Sequence, residues 1–177
     1  MTIAEFDHLP GEKKKELLTL CCGSSEWVNK MVAAPPAEDL VDLLETTEEK
    51  WYECGKEDWK EAFEHHPKIG DINSIKEKFA NTSNWAKNEQ SGVNSSTEEI
   101  LDQLVQGNKE YENKFGFIFI ICATGRSAEE MRNELESRLN NSPEEEINNA
   151  AVEQLKITKL RLEKLFDINE STRTYEL

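Results

Sequence analysis

Phe115-Gly116-Phe117-Ile118-Phe119-Ile120-Ile121-Cys122-Ala123 decides the fold class, because it is the one stretch of this chain that reads as a buried β-strand. It is aromatic, β-branched and uncharged. A strand must find partners for its backbone N–H and C=O groups, and no second stretch of comparable character exists to supply them. The sequence on both sides has helical signals. We therefore expect an all-α fold: a single compact multi-helix domain with one irregular or extended apolar segment near 115–123. That segment is read as extended, or as a short distorted helix, threaded through the core.

Working outward, Ser127 followed by Glu130 makes a capping box that leads into Met131, Leu135 and Leu139. Ser142-Pro143 opens a long last helix carrying Ile147, Ala151, Leu155, Leu162 and Leu165. Upstream, Ser96 followed by Glu99 makes another capping box, before Ile100, Leu101, Leu104 and Tyr111. Residues 91–94 read as a loop, and a helix is expected from about Asn73 to Gln90, with a break near Asn81–Asn84. Near the N-terminus, Pro10 sits at a first helical position, with Leu17, Leu18 and Cys21 sharing a face. Ser24 or Ser25 caps a helix bearing Trp27, Val28, Met31 and Val32, and Ala33-Ala34-Pro35-Pro36 ends it. A helix from near Glu38 presents Leu40, Val41 and Leu44. Another is expected from Thr47 or Glu48 to His66, although an internal Gly55 costs about 1 kcal/mol in a helix interior. One domain over residues 1–170 is expected, with 171–177 as a flexible tail.

The formal charge is −15, from 21 Lys and Arg against 36 Asp and Glu. A surface this acidic disfavours non-specific binding to nucleic acid and docking on an anionic membrane. An anionic substrate must then find a locally basic site against the global field. Cys21, Cys22, Cys54 and Cys122 contain no Cys-x-x-Cys, and no secretory signal precedes them, so they read as reduced structural cysteines of a cytoplasmic protein. The apolar run 115–123 is too short to span a bilayer.

Three places carry candidate chemistry. On helical phase, Trp59, Ala62 and Phe63 share a face with His66, while His65 points to the charged side. Pro67 ends the helix at His66, placing the imidazole at the negative end of the helix dipole, which favours its protonated form; burial opposes it. From spacing alone, a single histidine on an apolar face, as His66 is, is more often a satisfied core residue than a catalytic one. Glu89 lies four residues after Trp85, so it is either an exposed residue at a helix end or a buried carboxylate that needs a cationic partner. Arg126 follows Gly125 and precedes the capping Ser127, where free N–H groups favour an anion; it is a carboxylate anchor or an ordinary surface arginine. No metal site is expected, since adjacent His65 and His66 diverge on a helix and no His-x-x-x-His or Cys pair supports them. No phosphate loop or Gly-x-Gly-x-x-Gly is present, so no nucleotide cofactor is expected.

These places coincide with three motif blocks. His66-Pro67-Lys68-Ile69-Gly70-Asp71, Glu89-Gln90-Ser91-Gly92, and Phe115-Gly116-Phe117 through Ile121-Cys122-Ala123 to Gly125-Arg126-Ser127 follow one another in order and spacing. In them the chain resembles the 2-oxo-4-hydroxy-4-carboxy-5-ureidoimidazoline (OHCU) decarboxylases, enzymes that make (S)-allantoin at the end of urate oxidation. The first and third blocks are specific; the second is short. One departure stands out: the Ser that usually opens the second block is Ala86 here.

The resemblance implies an all-helical fold, often assembled as a homodimer, and a cofactor-free lyase. His66 would be the catalytic acid, Glu89 would position it and tune its charge, and Arg126 would hold an anionic or carbonyl group of a small anionic substrate. Pro67, then Ala86, Lys87, Asn88, Glu89 and Gln90, and then Phe119, Ile120, Ile121, Cys122 and Ala123 would line the pocket. Two other readings stand beside this one: a non-catalytic helical interaction module on the same scaffold, and a ureide-processing enzyme of another class, which Ala86 keeps open.

Overall fold

The computed structural model describes residues 1–66 and 95–166, with the backbone alone for 95–98. Among the described residues there are eight α-helices and no strand. They are α1 (Ile3–Asp7), α2 (Gly11–Cys21), α3 (Ser25–Ala33), α4 (Leu40–Tyr52), α5 (Lys56–Glu64), α6 (Ser95–Phe115), α7 (Ala128–Arg138) and α8 (Pro143–Leu165). The expected helix over 73–90, the loop at 91–94 and the tail at 171–177 lie outside the described residues. The chain divides into two compact units: residues 1–62 with the chain from Gln154 onward, and residues 63–153.

In the first unit, α2, α3 and α4 pack in sequence. Short polar residues set three of its helix starts. Thr2 and Glu5 exchange a capping box on α1, Ser24 accepts from the Trp27 N–H on α3, and Asp39 accepts from the Asp42 N–H on α4. Two buried indoles find backbone acceptors, as a buried N–H needs: Trp27 Nε1 donates to the Thr47 carbonyl at 3.2 Å and Trp59 Nε1 to the Trp51 carbonyl at 3.1 Å. Phe6 packs edge-on against Phe166, 5.5 Å between centroids.

Two expectations fail here for one reason. The segment 38–66 is cut at Gly55 and not at Thr47. Gly55 opens α5: its carbonyl accepts from the Trp59 N–H at 3.1 Å, and its own N–H donates to Asp58 Oδ2 at 2.8 Å. At a helix start the conformational cost of glycine is small, whereas mid-helix it is not. Because α4 then runs on to Tyr52, its buried stripe is Leu43, Thr47 and Trp51, and Val41 is left 63% exposed.

In the second unit, α6 packs on α7. Gly107 makes room for this: a Cβ there would come within 2.7 Å of Leu135 Cδ2. α6 begins at Ser95, one residue ahead of the expected cap Ser96. The Ser127–Glu130 capping box on α7 forms in full. The buried stripe of α7 is Met131, Leu135 and Arg138, so Arg138 takes the position expected of Leu139. Phe115 still belongs to α6. Gly116, at φ +78°, ends that helix in the left-handed conformation open to glycine, and its N–H donates to the Glu112 carbonyl at 2.9 Å. From Phe117 to Ala123 the chain is neither helix nor strand.

A lone strand would have needed a neighbour, and this segment uses side chains in its place. Arg138 Nη1 donates to the Ile120 carbonyl at 2.9 Å, and Glu153 Oε2 accepts from the Cys122 N–H at 2.8 Å. Both side chains are buried. Arg138 is itself paired: its Nε and Nη2 reach Glu146 Oε1 at 2.7 and 2.6 Å. The Tyr111 hydroxyl donates to the same oxygen, and Asn141 Nδ2 donates to Glu146 Oε2 at 2.8 Å. Burial alone would lower the Arg138 pKa, but the bonds to Glu146 and the neighbouring Tyr111 outweigh it and hold the guanidinium charged. Burial pushes the Tyr111 phenol well up.

Candidate active site

His66 lies two residues past the end of α5 in a short turn, its N–H bonded to the Phe63 carbonyl at 3.1 Å. The turn separates the two histidines as helical phase predicts: His66 is 8% exposed, and His65 is exposed. Phe63 is fully buried, and its ring meets that of Phe117 at 5.3 Å between centroids. The residue three before His66 is thereby packed on the start of the irregular apolar segment.

Along that segment Phe119, Ile120 and Ile121 are buried, while Cys122 and Ala123 are half-buried. The Phe119 ring lies under the Arg138 guanidinium at 4.6 Å and edge-on to Tyr111 at 5.2 Å. The side chains of Phe119 and Ile120 thus belong to the core, and Cys122 and Ala123 are the segment's accessible end.

Arg126 follows a tight turn. Thr124 and Gly125 reverse the chain, Gly125 has φ +79°, and the Arg126 N–H donates to the Ala123 carbonyl at 3.1 Å. Ser127 then caps α7, so the guanidinium springs from the residue immediately before that cap. It faces Glu153 Oε1 at 3.7 Å and Glu134 Oε2 at 4.0 Å. Both contacts are longer than a charge-assisted hydrogen bond, so they orient the planar fork without consuming its donors. With Glu130, Asn133 and Glu134, Arg126 lines an open cleft of about 400 Å³.

The structure therefore brings the histidine's turn, the apolar segment and the arginine into one unit. Pro67, Ala86, Lys87, Asn88, Glu89 and Gln90 lie outside the described residues. Sequence reasoning missed Arg138, Glu146 and Glu153. A signal for them exists: Arg138 continues the i, i+4, i+7 stripe of Met131 and Leu135, and Glu146 and Glu153, seven apart, fall on the buried face of α8 beside Ile147, Ala150 and Gln154. Among the described residues no three His, Cys, Asp or Glu side chains converge to hold a metal ion. Nor, among them, is any helix long and apolar enough to cross a membrane.

Burial pushes the Cys21 and Cys22 thiols up to about 11 and Cys54 to about 12, so at neutral pH they are thiols and not nucleophiles. All four cysteines are free.

The chain is similar to known proteins along most of its length. The family model for OHCU decarboxylase matches residues 7–163. The Arabidopsis thaliana uric acid degradation bifunctional protein TTL is 42% identical over 151 residues, covering 83% of this chain and 45% of that protein. A Xenopus laevis 2-oxo-4-hydroxy-4-carboxy-5-ureidoimidazoline decarboxylase is 42% identical over 67 residues, 38% of each chain. The chain thus spans less than half the length of these curated relatives. A crystal structure of an OHCU decarboxylase in the presence of (S)-allantoin superposes with a TM-score of 0.69 at 37% identity, covering 87% of this chain and 99% of that one. With the family model spanning most of its length, this chain belongs to the OHCU decarboxylase family.

Proposed function

We propose that this protein decarboxylates 2-oxo-4-hydroxy-4-carboxy-5-ureidoimidazoline to (S)-allantoin and CO2 in urate breakdown, with His66 as proton donor and no cofactor. The observation that carries the reading is the burial of His66 at the end of α5, beside the Phe63–Phe117 contact that joins its turn to the apolar segment.

The chemistry suits a small set of residues. Ring carbon 4 of the substrate bears both the hydroxyl and the carboxylate and adjoins the ring C=N bond. When the bond to CO2 breaks, its electron pair moves toward carbon 5 and the imine nitrogen, which takes a proton. The resulting enol then gives up its hydroxyl proton as carbon 5 gains one, and delivery to a single face fixes the S product. The substrate supplies its own electron sink, so the protein's tasks are to bind the anion, desolvate the carboxylate and deliver a proton. A buried imidazolium can do the last, with Glu89 maintaining its charge. Arg126, with donors to spare, holds the anionic head group. Pro67, the stretch from Ala86 to Gln90 and the stretch from Phe119 to Ala123 line the pocket. The same reading takes residues 1–170 as one decarboxylase domain, cytoplasmic, working on a small molecule and not on nucleic acid, and pairing as a homodimer.

The test follows the optical rotation of allantoin formed from freshly oxidised urate. The dextrorotatory product should appear faster with the protein, and His66→Ala or His66→Asn should lower turnover by about 100-fold or more. Near-wild-type turnover in either variant would remove His66 from its role. No effect of stoichiometric wild-type protein would favour a non-catalytic scaffold or a ureide enzyme of another class.

A further inference from the structure

Among the described residues Glu153 touches both the segment and the arginine of the site, and nothing in the motif blocks includes it. It is 7% exposed, on the inward face of α8. A carboxylate so placed needs partners, and its two oxygens are divided between different ones. Oε2 accepts from the Cys122 N–H at 2.8 Å, a backbone donor with no strand to serve it; Oε1 faces the Arg126 guanidinium at 3.7 Å. Three residues separate Cys122 from Arg126, among them the Thr124–Gly125 turn. One buried carboxylate therefore spans the turn and ties its two ends.

We propose that Glu153 is a positioning residue: it sets the Arg126 guanidinium against the accessible end of the apolar segment, so that an anionic substrate meets a fork already aimed. This deepens the decarboxylase reading and rests on it. Among the described residues, the carboxylate left facing Arg126 without Glu153 is that of Glu134, whose side chain is 41% exposed and which would draw it toward solvent. The length of the Arg126 contact matters too. A tight bidentate pair would compete with the substrate, whereas at 3.7 Å charge alone orients the group.

Two variants separate the two bonds. Glu153→Gln keeps an acceptor for the Cys122 N–H and gives up the charge facing Arg126; Glu153→Ala gives up both. We expect Glu153→Gln to raise KM about tenfold and to lower kcat less, and Glu153→Ala to lower kcat as well. In a double-mutant cycle on kcat/KM, the effect of Glu153→Gln should largely vanish in an Arg126→Gln background. An unchanged or lowered KM in Glu153→Gln, or an equal loss in both backgrounds, would overturn the proposal. Should wild-type protein fail to form (S)-allantoin, the decarboxylase reading falls by itself. Hydrogen exchange of the Cys122 amide then decides the placement: protection kept in Glu153→Gln relative to wild type supports it, and protection lost there, or equal among wild type, Glu153→Gln and Glu153→Ala, overturns it. If Glu153→Ala does not fold, the comparison of wild type with Glu153→Gln stands alone.

Discussion

The guanidinium of Arg138 donates to the backbone carbonyl of Ile120 at 2.9 Å while both groups are almost fully buried. The charge is balanced by Glu146, itself inaccessible to solvent. A charged pair of this kind is costly to assemble and more costly to break by halves, because the partner left behind is buried without compensation. Replacing Arg138 with Met should therefore destabilise the protein by about 3–5 kcal/mol, as should Glu146→Leu. Urea unfolding followed by circular dichroism measures this; a loss below about 1 kcal/mol in both would show that the pair is dispensable.

Thr47 offers the opposite case. Its side-chain oxygen is buried with no hydrogen-bond partner among the described residues. Thr47→Val removes an unsatisfied hydroxyl and keeps the shape, so stability should rise by about 1 kcal/mol. A lower melting temperature for Thr47→Val would contradict this.

The cysteines should react in a fixed order. Cys21, Cys22 and Cys54 are buried thiols with raised pKa values, and Cys122 is half-buried. Iodoacetamide at about pH 8 should modify native protein at Cys122 first and reach the other three only on unfolding. Peptide mass spectrometry reads the order; early labelling of Cys54 would refute the burial.

Acid should loosen the helix starts. Backbone bonds from Thr2 to Glu5 and from Ser127 to Glu130, and the Ser142 hydroxyl bond to Glu145, hold these carboxyls below their ordinary value of 4.5. A carboxyl with a depressed native pKa stabilises the fold above its unfolded pKa, and that contribution is lost as pH falls through the lower native value. The melting temperature should thus fall on acidification below about pH 4.5, and the combined Glu5→Gln, Glu130→Gln, Glu145→Gln variant should show a shallower fall. An identical slope for both proteins would count against the caps.

Local chemistry carried much of this structure in plain view. The caps at Ser24 and Ser127 and the start at Pro143 follow from short-range rules, and so does the division of His65 from His66 by helical phase. Where the reading went astray, a longer-range choice intervened. Gly55 could be a tolerated interior residue or a helix start, and the second goes with the fit of Trp51 beside Trp59, 6.0 Å between centroids, and the Gly55–Asp58 bond. Arg138, Glu146 and Glu153 left a faint trace, their phase on a buried stripe, which is easily passed over because a charged residue on an apolar stripe looks like the stripe's end. Arg138 and Glu153 find their partners, a carbonyl and an amide, in a segment 18 and 31 residues away, and no local pattern announces such a bond.

The irregular course of Phe117–Ala123 also bears on how this protein fails. A run of seven residues with no charge, no proline and no glycine is the composition that stacks into intermolecular β-sheet once two copies meet edge to edge. Natural sheets blunt such edges with lysines or bulges. Here the blunting comes from inside: an arginine and a glutamate occupy the Ile120 carbonyl and the Cys122 amide, two of the groups a second chain would need. The native state thus holds an amyloid-competent stretch with two of its pairing groups already taken, and loss of the Arg138 and Glu153 bonds would free them for a second chain.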